Sequence, residues 1–285
     1  MHHLINYIST QLNLEILSFR SIGGGDISSA YLLETCKQKF FLKVNSRSFA
    51  KTMFLAEQKG LQAIDNTKTI AVPHVYLVDE TAGKAFLLMD FVESKGAAGQ
   101  DYRRLGQDLA KLHLCTEDYF GFSSDNFIGS LPQSNTAYSD WAEFYWHERI
   151  LPQLKLAKQG GLLETEFIPA KENAIKVFQQ VFGEVKPSLL HGDLWDGNYL
   201  ISTDGTPYLI DPAVYYGHSM VDIAMSKLFG GFGQEFYNAY HEIIPKQAYY
   251  QEQIDLYQLY YFLVHLNLFG RSYRGSVVDI LGRYF

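Results

Sequence analysis

The residues best suited to chemistry in this 285-residue chain stand in two short stretches. One is Leu190-His191-Gly192-Asp193-Leu194-Trp195-Asp196-Gly197-Asn198, and the other is Tyr208-Leu209-Ile210-Asp211. An aspartate, an asparagine and a second aspartate in that order suit phosphoryl transfer. Asp193 accepts or orients the proton of an attacking hydroxyl, and Asn198 and Asp211 offer the hard oxygen ligands that suit Mg²⁺. Asp204-Gly205 is a strong two-residue hairpin signal, flanked by β-branched, aromatic and apolar residues over 199–203 and 206–210. Such a hairpin sets Asn198 directly opposite Asp211, with Cβ atoms about 4.5–5.5 Å apart, and delivers both groups to one point. Pro212 cannot donate to a ladder and ends the strand. An ordinary surface hairpin with polar ends is the simpler alternative. His191 and Asp193 just upstream weigh against it.

Other parts of such a machine are present. Gly23-Gly24-Gly25-Asp26-Ile27-Ser28-Ser29 lies between two expected strands, where glycines let backbone N–H groups approach phosphate oxygens. It fits a plain hairpin turn as well; the lysine strand that follows favours phosphate. Lys43 sits in the apolar strand Phe41-Leu42-Lys43-Val44. Met53, Glu57, Leu61 and Ile64 share one helical stripe, so Glu57 faces the apolar side. A carboxylate there is costly unless paired, and Lys43 is its natural partner. The same Lys–Glu pair positions nucleotide phosphates in protein kinases. Met89, Asp90 and Phe91 would form the hinge whose backbone holds an adenine, or simply the last strand. His191 reads as a hydrogen-bonding buttress of the loop. Asp222 reads equally as a helix N-cap or as a brace for the catalytic-loop backbone.

Composition bounds the rest. With 47% hydrophobic and 19% charged residues, the chain can bury a full core. Its 20 Tyr and 20 Phe are core residues by default. A net charge of −7 without a Lys/Arg block argues against nucleic acid or an anionic membrane as the main partner. The two cysteines, Cys36 and Cys115, are widely spaced and fit free thiols in a reducing cytoplasm. No signal-peptide pattern and no stretch of transmembrane length is present, and the greasiest run, 257–270, reads as a buried helix.

The elements that must position these groups fall into two parts. A helix over 4–15 precedes strands over 14–22, 30–35 and 39–44, a helix over 50–64, and strands over 75–78 and 84–91. Gly96-Ala97-Ala98-Gly99 then marks a join. Helices follow over 101–114, 141–157 and 164–182, then the hairpin, then a helical C-terminal part from residue 219. The expected class is α+β and bilobal. A small β-rich lobe with one long helix over 1–92 binds nucleotide, and a larger, mainly helical lobe over 93–285 holds catalysis and substrate.

On these residues the chain resembles the fructosamine/ketosamine kinases, in the aminoglycoside-phosphotransferase-like branch of the protein-kinase-like fold. The resemblance runs nearly end to end. It includes Gly23 through Ser28, Phe40 through Asn45, Glu57, Leu112-His113, Asp125-Asn126-Phe127-Ile128-Gly129, Trp141 through Phe144 and His191 through Trp195. It continues with Asp211-Pro212-Ala213, Tyr215-Tyr216-Gly217-His218, Leu228 through Phe232, and His265 through Gly270. It implies ATP- and Mg²⁺-dependent phosphorylation of the sugar 3-hydroxyl of ketosamines, free or on protein lysines. The phosphorylated adduct falls off, which repairs a glycated amine. By the same resemblance Asp193 is the base, Asn198 and Asp211 hold Mg²⁺, and Lys43 and Glu57 anchor the nucleotide. Trp195 is a sugar platform, and Asp125, Asn126, Trp141, Tyr216 and His218 are weaker substrate-side candidates, each fitting packing or loop bracing equally well. Asp196 departs from the small residue common in the family, and Met220 from an acidic one, which bears on the substrate side alone. A kinase of an aminoglycoside or choline is the alternative enzyme. A nucleotide-binding pseudokinase is the non-enzymatic one, although none of Lys43, Asp193, Asn198 and Asp211 is missing.

Overall fold

The structure is a computed structural model that describes residues 1–23 and 28–285. The N-terminal part comprises α1 (His2–Leu12), β1 (Ser18–Ile22), β2 (Ser29–Glu34), β3 (Lys39–Asn45), α2 (Ala50–Thr67), β4 (Val75–Thr81) and β5 (Lys84–Asp90). The strands form one antiparallel sheet in the order β1-β2-β3-β5-β4. Alternation along β3 decides what each face does. Phe40, Leu42 and Val44 are buried under α1, against Leu4, Ile5 and Ile8. Phe41 and Lys43 take the opposite face, which α2 covers with Ala50, Phe54 and Leu61. The sheet therefore turns Lys43 toward the helix that carries Glu57. Ala82 and Gly83, both at positive φ, close the tight turn between β4 and β5.

The chain then becomes mainly helical. In order come β6 (Ser94–Lys95), α3 (Gly99–His113), β7 (Asn126–Ile128), β8 (Leu131–Gln133) and α4 (Trp141–Phe144). A π-helical turn (Tyr145–Ile150) leads into α5 (Leu151–Gln159) and α6 (Lys171–Phe182). Next are β9 (Ser188–Leu190), β10 (Tyr199–Ser202), β11 (Pro207–Leu209), β12 (Tyr215–Gly217), α7 (Met220–Ser226), α8 (Gln234–Ile243), α9 (Tyr250–Phe269) and α10 (Arg274–Tyr284). This is the α+β arrangement expected, a β-rich part followed by a larger helical one. Several bounds differ from expectation: the first helix ends at Leu12, the strand expected over 14–22 starts only at Ser18, and a π-helical turn interrupts the helix expected over 141–157. The helix expected over 164–182 starts only at Lys171, because Pro169 holds Ile168 in an extended conformation.

Two small sheets carry the site. β6 and β11 flank β10, and β12 pairs with β9. The helix α9 lies beneath them, buried nearly all round by Leu256, Tyr257, Leu259, Tyr260, Tyr261 and Leu263 among others. Among the described residues, no helix is long and apolar enough to cross a membrane.

Candidate active site

The hairpin between Asn198 and Asp211 forms, but not with the expected turn. β10 and β11 pair as Tyr199 with Leu209, Leu200 with Tyr208 and Ile201 with Pro207. That is one residue out of the register a two-residue turn imposes. The loop is Thr203-Asp204-Gly205, closed by Gly205 N donating to Ser202 O at 2.8 Å, with Gly205 at φ +85°. Thr206 N donates both to Asp204 Oδ1 (2.9 Å) and to Ser202 Oγ (3.0 Å), which favours the longer turn. Asn198 therefore lies opposite Ile210, whose N–H donates to Asn198 O at 3.0 Å, and not opposite Asp211. Asp211 leaves the strand through a left-handed kink, φ 55°, a conformation that aspartate tolerates better than most residues. The chain is pinned just beyond Pro212, where Ala213 N donates to His191 O at 2.8 Å.

The kink brings Asp211 to Lys43. The Lys43 ammonium bridges two carboxylates, Glu57 Oε1 at 2.7 Å and Asp211 Oδ1 in a shorter contact. The Lys43–Glu57 pair is the one expected; the second partner was not. Burial works to lower the Lys43 pKa, but the two anions outweigh it and hold it above its ordinary value. Burial likewise works to raise Asp211, and the Lys43 cation outweighs it, so Asp211 stays ionised. Glu57 is raised by burial, which exceeds the opposing effect of Lys43.

Asp193 and Asn198 form the second half of the cluster. The Asn198 side-chain N–H groups donate to Asp193 O at 2.8 Å and to Asp193 Oδ2 at 3.3 Å. Both protons of that amide are thus committed to the catalytic loop, which leaves its carbonyl oxygen for another partner. Burial first, then the negative charges of Asp211 and Asp222, push the Asp193 carboxyl up to about 7.

The loop is held from below. Asp222 is fully buried, accepting from His191 N at 2.7 Å and from Gly192 N at 2.9 Å. It also contacts His113 Nε2 at 3.1 Å, and His113 Nδ1 bonds Tyr240 Oη at 2.8 Å. Of the two readings of Asp222, the structure bears out the brace. Its side chain makes no cap bond to its own helix. His191 is the buttress expected: Nδ1 accepts from Asp193 N at 3.2 Å, so Nε2–H donates to Ile210 O at 2.8 Å. Burial lowers its pKa and keeps it neutral. His113 was missed as a support. Its signal was a lone histidine on the buried face of α3, one turn after Leu109.

The remaining expectations divide. Gly24 and Gly25 lie outside the described residues, and Gly23 follows β1 with open space where a Cβ would be. Met89 is buried in the sheet, and the Asp90 side chain accepts from His74 N and Tyr76 Oη, bracing β4 against β5. Phe91 follows the last residue of β5. Trp195 is 37% exposed on the catalytic loop, its ring lying against the Cα of Gly197. Tyr216 and His218 are not brought to the Asp193 cluster. Alternation along β12 turns Tyr216 toward Tyr119 and Phe122. His218 is buried, with Nδ1 on Tyr257 Oη at 2.6 Å, and Trp141 donates to the same oxygen at 2.8 Å. These contacts make His218 and Trp141 core residues. Asn126 Nδ2 donates to Val214 O at 2.8 Å, and Asp125 accepts from Asn135 N at 2.9 Å, so both brace loops. Asp196 is exposed, 3.2 Å from Tyr199 Oη.

The chain as a whole has relatives among known proteins. A sequence model of the fructosamine kinase family matches residues 1–285. The chloroplastic protein-ribulosamine 3-kinase of Arabidopsis thaliana is 41% identical over 283 residues, which span 95% of this chain and 83% of the relative. The crystal structure of a Haemophilus somnus protein described as a fructosamine-3-kinase superposes with a TM-score of 0.88 at 28% identity, covering 99% of this chain and 96% of that one. The aminoglycoside phosphotransferase APH(4)-Ia shares the fold alone, with a TM-score of 0.64 at 13% identity over 97% of each chain. This chain belongs to the fructosamine kinase family.

Proposed function

We propose that this protein is an ATP-dependent kinase that phosphorylates the sugar 3-hydroxyl of ketosamines, adducts of sugars on amines. The observation that carries the reading is the clustering of Lys43, Glu57, Asp193, Asn198 and Asp211: Lys43 bridges Glu57 and Asp211, Asn198 holds Asp193, and the Asp211 charge acts on the Asp193 carboxyl. The family and the 41% identical ribulosamine 3-kinase supply the acceptor class.

The roles follow from the geometry. Lys43, oriented by Glu57, exchanges its contact with Asp211 for the phosphate oxygens of bound ATP. The Asp211 carboxylate and the Asn198 carbonyl oxygen would then be free to hold a metal ion. One carboxylate and one amide oxygen fit Mg²⁺, which takes its other ligands from phosphate and water. Bound there, Mg²⁺ would neutralise charge on the transferring phosphoryl group. Asp193 receives the hydrogen bond of the acceptor hydroxyl and takes its proton as the oxygen–phosphorus bond forms and ADP leaves. The Asn198 amide and the Asp222-braced backbone hold Asp193 in line. Trp195 supplies an exposed aromatic face for the sugar. A reducing compartment such as the cytoplasm suits the free thiols Cys36 and Cys115.

The test is Mg²⁺-ATP-dependent phosphate transfer to ribulosyl-lysine and fructosyl-lysine, with an aminoglycoside and choline in parallel and Asp193→Asn as control. Transfer to the ketosamines, absent in the variant, is the expected result. Transfer only to the aminoglycoside or choline would move the acceptor class. Transfer to nothing, with ATP still bound, would leave a nucleotide-binding pseudokinase.

A further inference from the structure

Arg149 is fully buried, and among the described residues its hydrogen bonds go to no carboxylate. Its guanidinium donates to Ser134 O at 2.6 Å, Glu148 O at 3.0 Å and Asn135 Oδ1 at 2.6 Å, and Nε has no hydrogen-bond partner among the described residues. Its plane lies over the Tyr215 ring, 3.9 Å from Cζ to centroid. A buried cation compensated only by carbonyls and ring faces is costly, and an apolar side chain of similar size would fill the space. The residue also sits in a π-helical turn, a local irregularity often found where a side chain has to be re-aimed.

What Arg149 touches leads to both catalytic segments. On one side it pins residues 134 and 135, next to Gln133. Gln133 Nε2 donates to Asn126 Oδ1 at 2.8 Å and reaches Ala213 O at 3.4 Å, and Asn126 holds Val214 O. These carbonyls lie two and three residues after Asp211. On the other side, the Tyr215 ring edge lies 3.4 Å from where a Cβ of Gly192 would stand, and Ala213 O only 2.1 Å from it. Gly192 is thus packed tightly against the 211–215 segment, with Asp193 next in the chain. We propose that Arg149 is a positioning residue for phosphoryl transfer: its rigid fork and stacked plane lock the 211–215 segment against residues 191–193, fixing Asp211 relative to Asp193. The planar fork does both jobs at once, which an ammonium cannot. The inference rests on the roles proposed above for those two aspartates.

Arg149→Met and Arg149→Lys test it, with kcat, ATP KM, basal ATP hydrolysis in the absence of acceptor, and thermal melting read for each. The Met variant should melt cooperatively and keep its ATP KM while kcat falls on the order of 100-fold, as expected for misplacement by about 1 Å. Lys, retaining the charge without the fork, should recover only part of that loss. If the Met variant does not fold, Asn135→Ala removes one end of the clamp and should lower kcat at unchanged ATP KM. An unchanged kcat in the Met variant would overturn the proposal. So would a parallel fall of melting temperature, ATP affinity and kcat, which marks a purely structural residue. Should the wild type transfer nothing to ketosamines, the acceptor assignment fails, and basal ATP hydrolysis still reads Arg149.

Discussion

Asn198 gives its amide protons to Asp193, one at 2.8 Å to the backbone carbonyl and one at 3.3 Å to the carboxylate. A residue proposed to hold the metal therefore also orients the base. Asn198→Asp should be worse than a simple ligand swap, because a second carboxylate beside Asp193 repels it. We expect kcat to fall about 10²–10⁴-fold, as when a general base is lost, and metal-free nucleotide binding to persist. Steady-state kinetics with calorimetric binding of ATP in EDTA check this, and near-normal turnover would dissociate Asn198 from the site.

Lys43 should be felt in nucleotide use first. Lys43→Ala removes a charge-assisted contact to phosphate, so ATP KM should rise about 10–100-fold. Glu57→Gln, which leaves Lys43 held by Asp211 alone, should raise it less. Unchanged ATP kinetics in both variants would rule out the Lys43–Glu57 pair as the nucleotide anchor.

Asp222 is expected to matter for stability as well as rate. Asp222→Ala leaves the N–H groups of His191 and Gly192 and the ring of His113 without their common acceptor. Removing one partner of such a buried charged network costs about 3 kcal/mol. Urea unfolding should show that loss, and the folded fraction should turn over slowly. A variant as stable as the wild type would mean that the loop backbone finds another acceptor.

Gly197 tests the aromatic platform. A Cβ there would lie 2.4 Å from the Trp195 ring, so Gly197→Ala should push the ring aside without unfolding the loop. We expect a change in tryptophan fluorescence and a higher ketosamine KM, with ATP KM constant. A fluorescence change without any kinetic change would remove Trp195 from substrate recognition.

His218 predicts a pH dependence of stability. Trp141 donates to Tyr257 Oη, so the tyrosine proton goes to His218 Nδ1, and the imidazole is neutral. Burial lowers its pKa to about 3. A depressed histidine pKa stabilises the fold fully above the unfolded value of about 6.5 and progressively less as pH falls toward 3. By pH 5 the loss should reach about 2 kcal/mol, at roughly 1.4 kcal/mol per pH unit. Urea midpoints at pH 7.5, 6 and 5 measure it. His218→Gln should flatten that dependence, and an unaltered slope in the variant would assign it to other groups.

Much of this protein was legible in one dimension. The order Asp193, Asn198, Asp211, the alternation of Phe40, Leu42 and Val44 that turns Lys43 to the other face, and the helical stripe that puts Glu57 inward are local patterns with periods of 2 and 3.6, which neighbours in sequence suffice to reveal. They determined the α+β class, the phosphoryl-transfer chemistry and the Lys43–Glu57 pair. Tertiary structure decided what long-range contacts control. The hairpin register turned on which side-chain oxygens Thr206 N could reach, and Asp211 came to the cluster by a backbone kink instead of cross-strand pairing. Asp222 became a brace and not a cap because α7 packs beneath the catalytic loop. His218 and Trp141, polar or aromatic residues in a substrate-like motif, became core because α9 supplied Tyr257. Arg149 stands one turn after Tyr145 and two after Trp141, on the buried face of its helix. Arg149 carried no assignment in the sequence; the folded neighbours at 134, 135 and 215 show both that it points inward and what it holds.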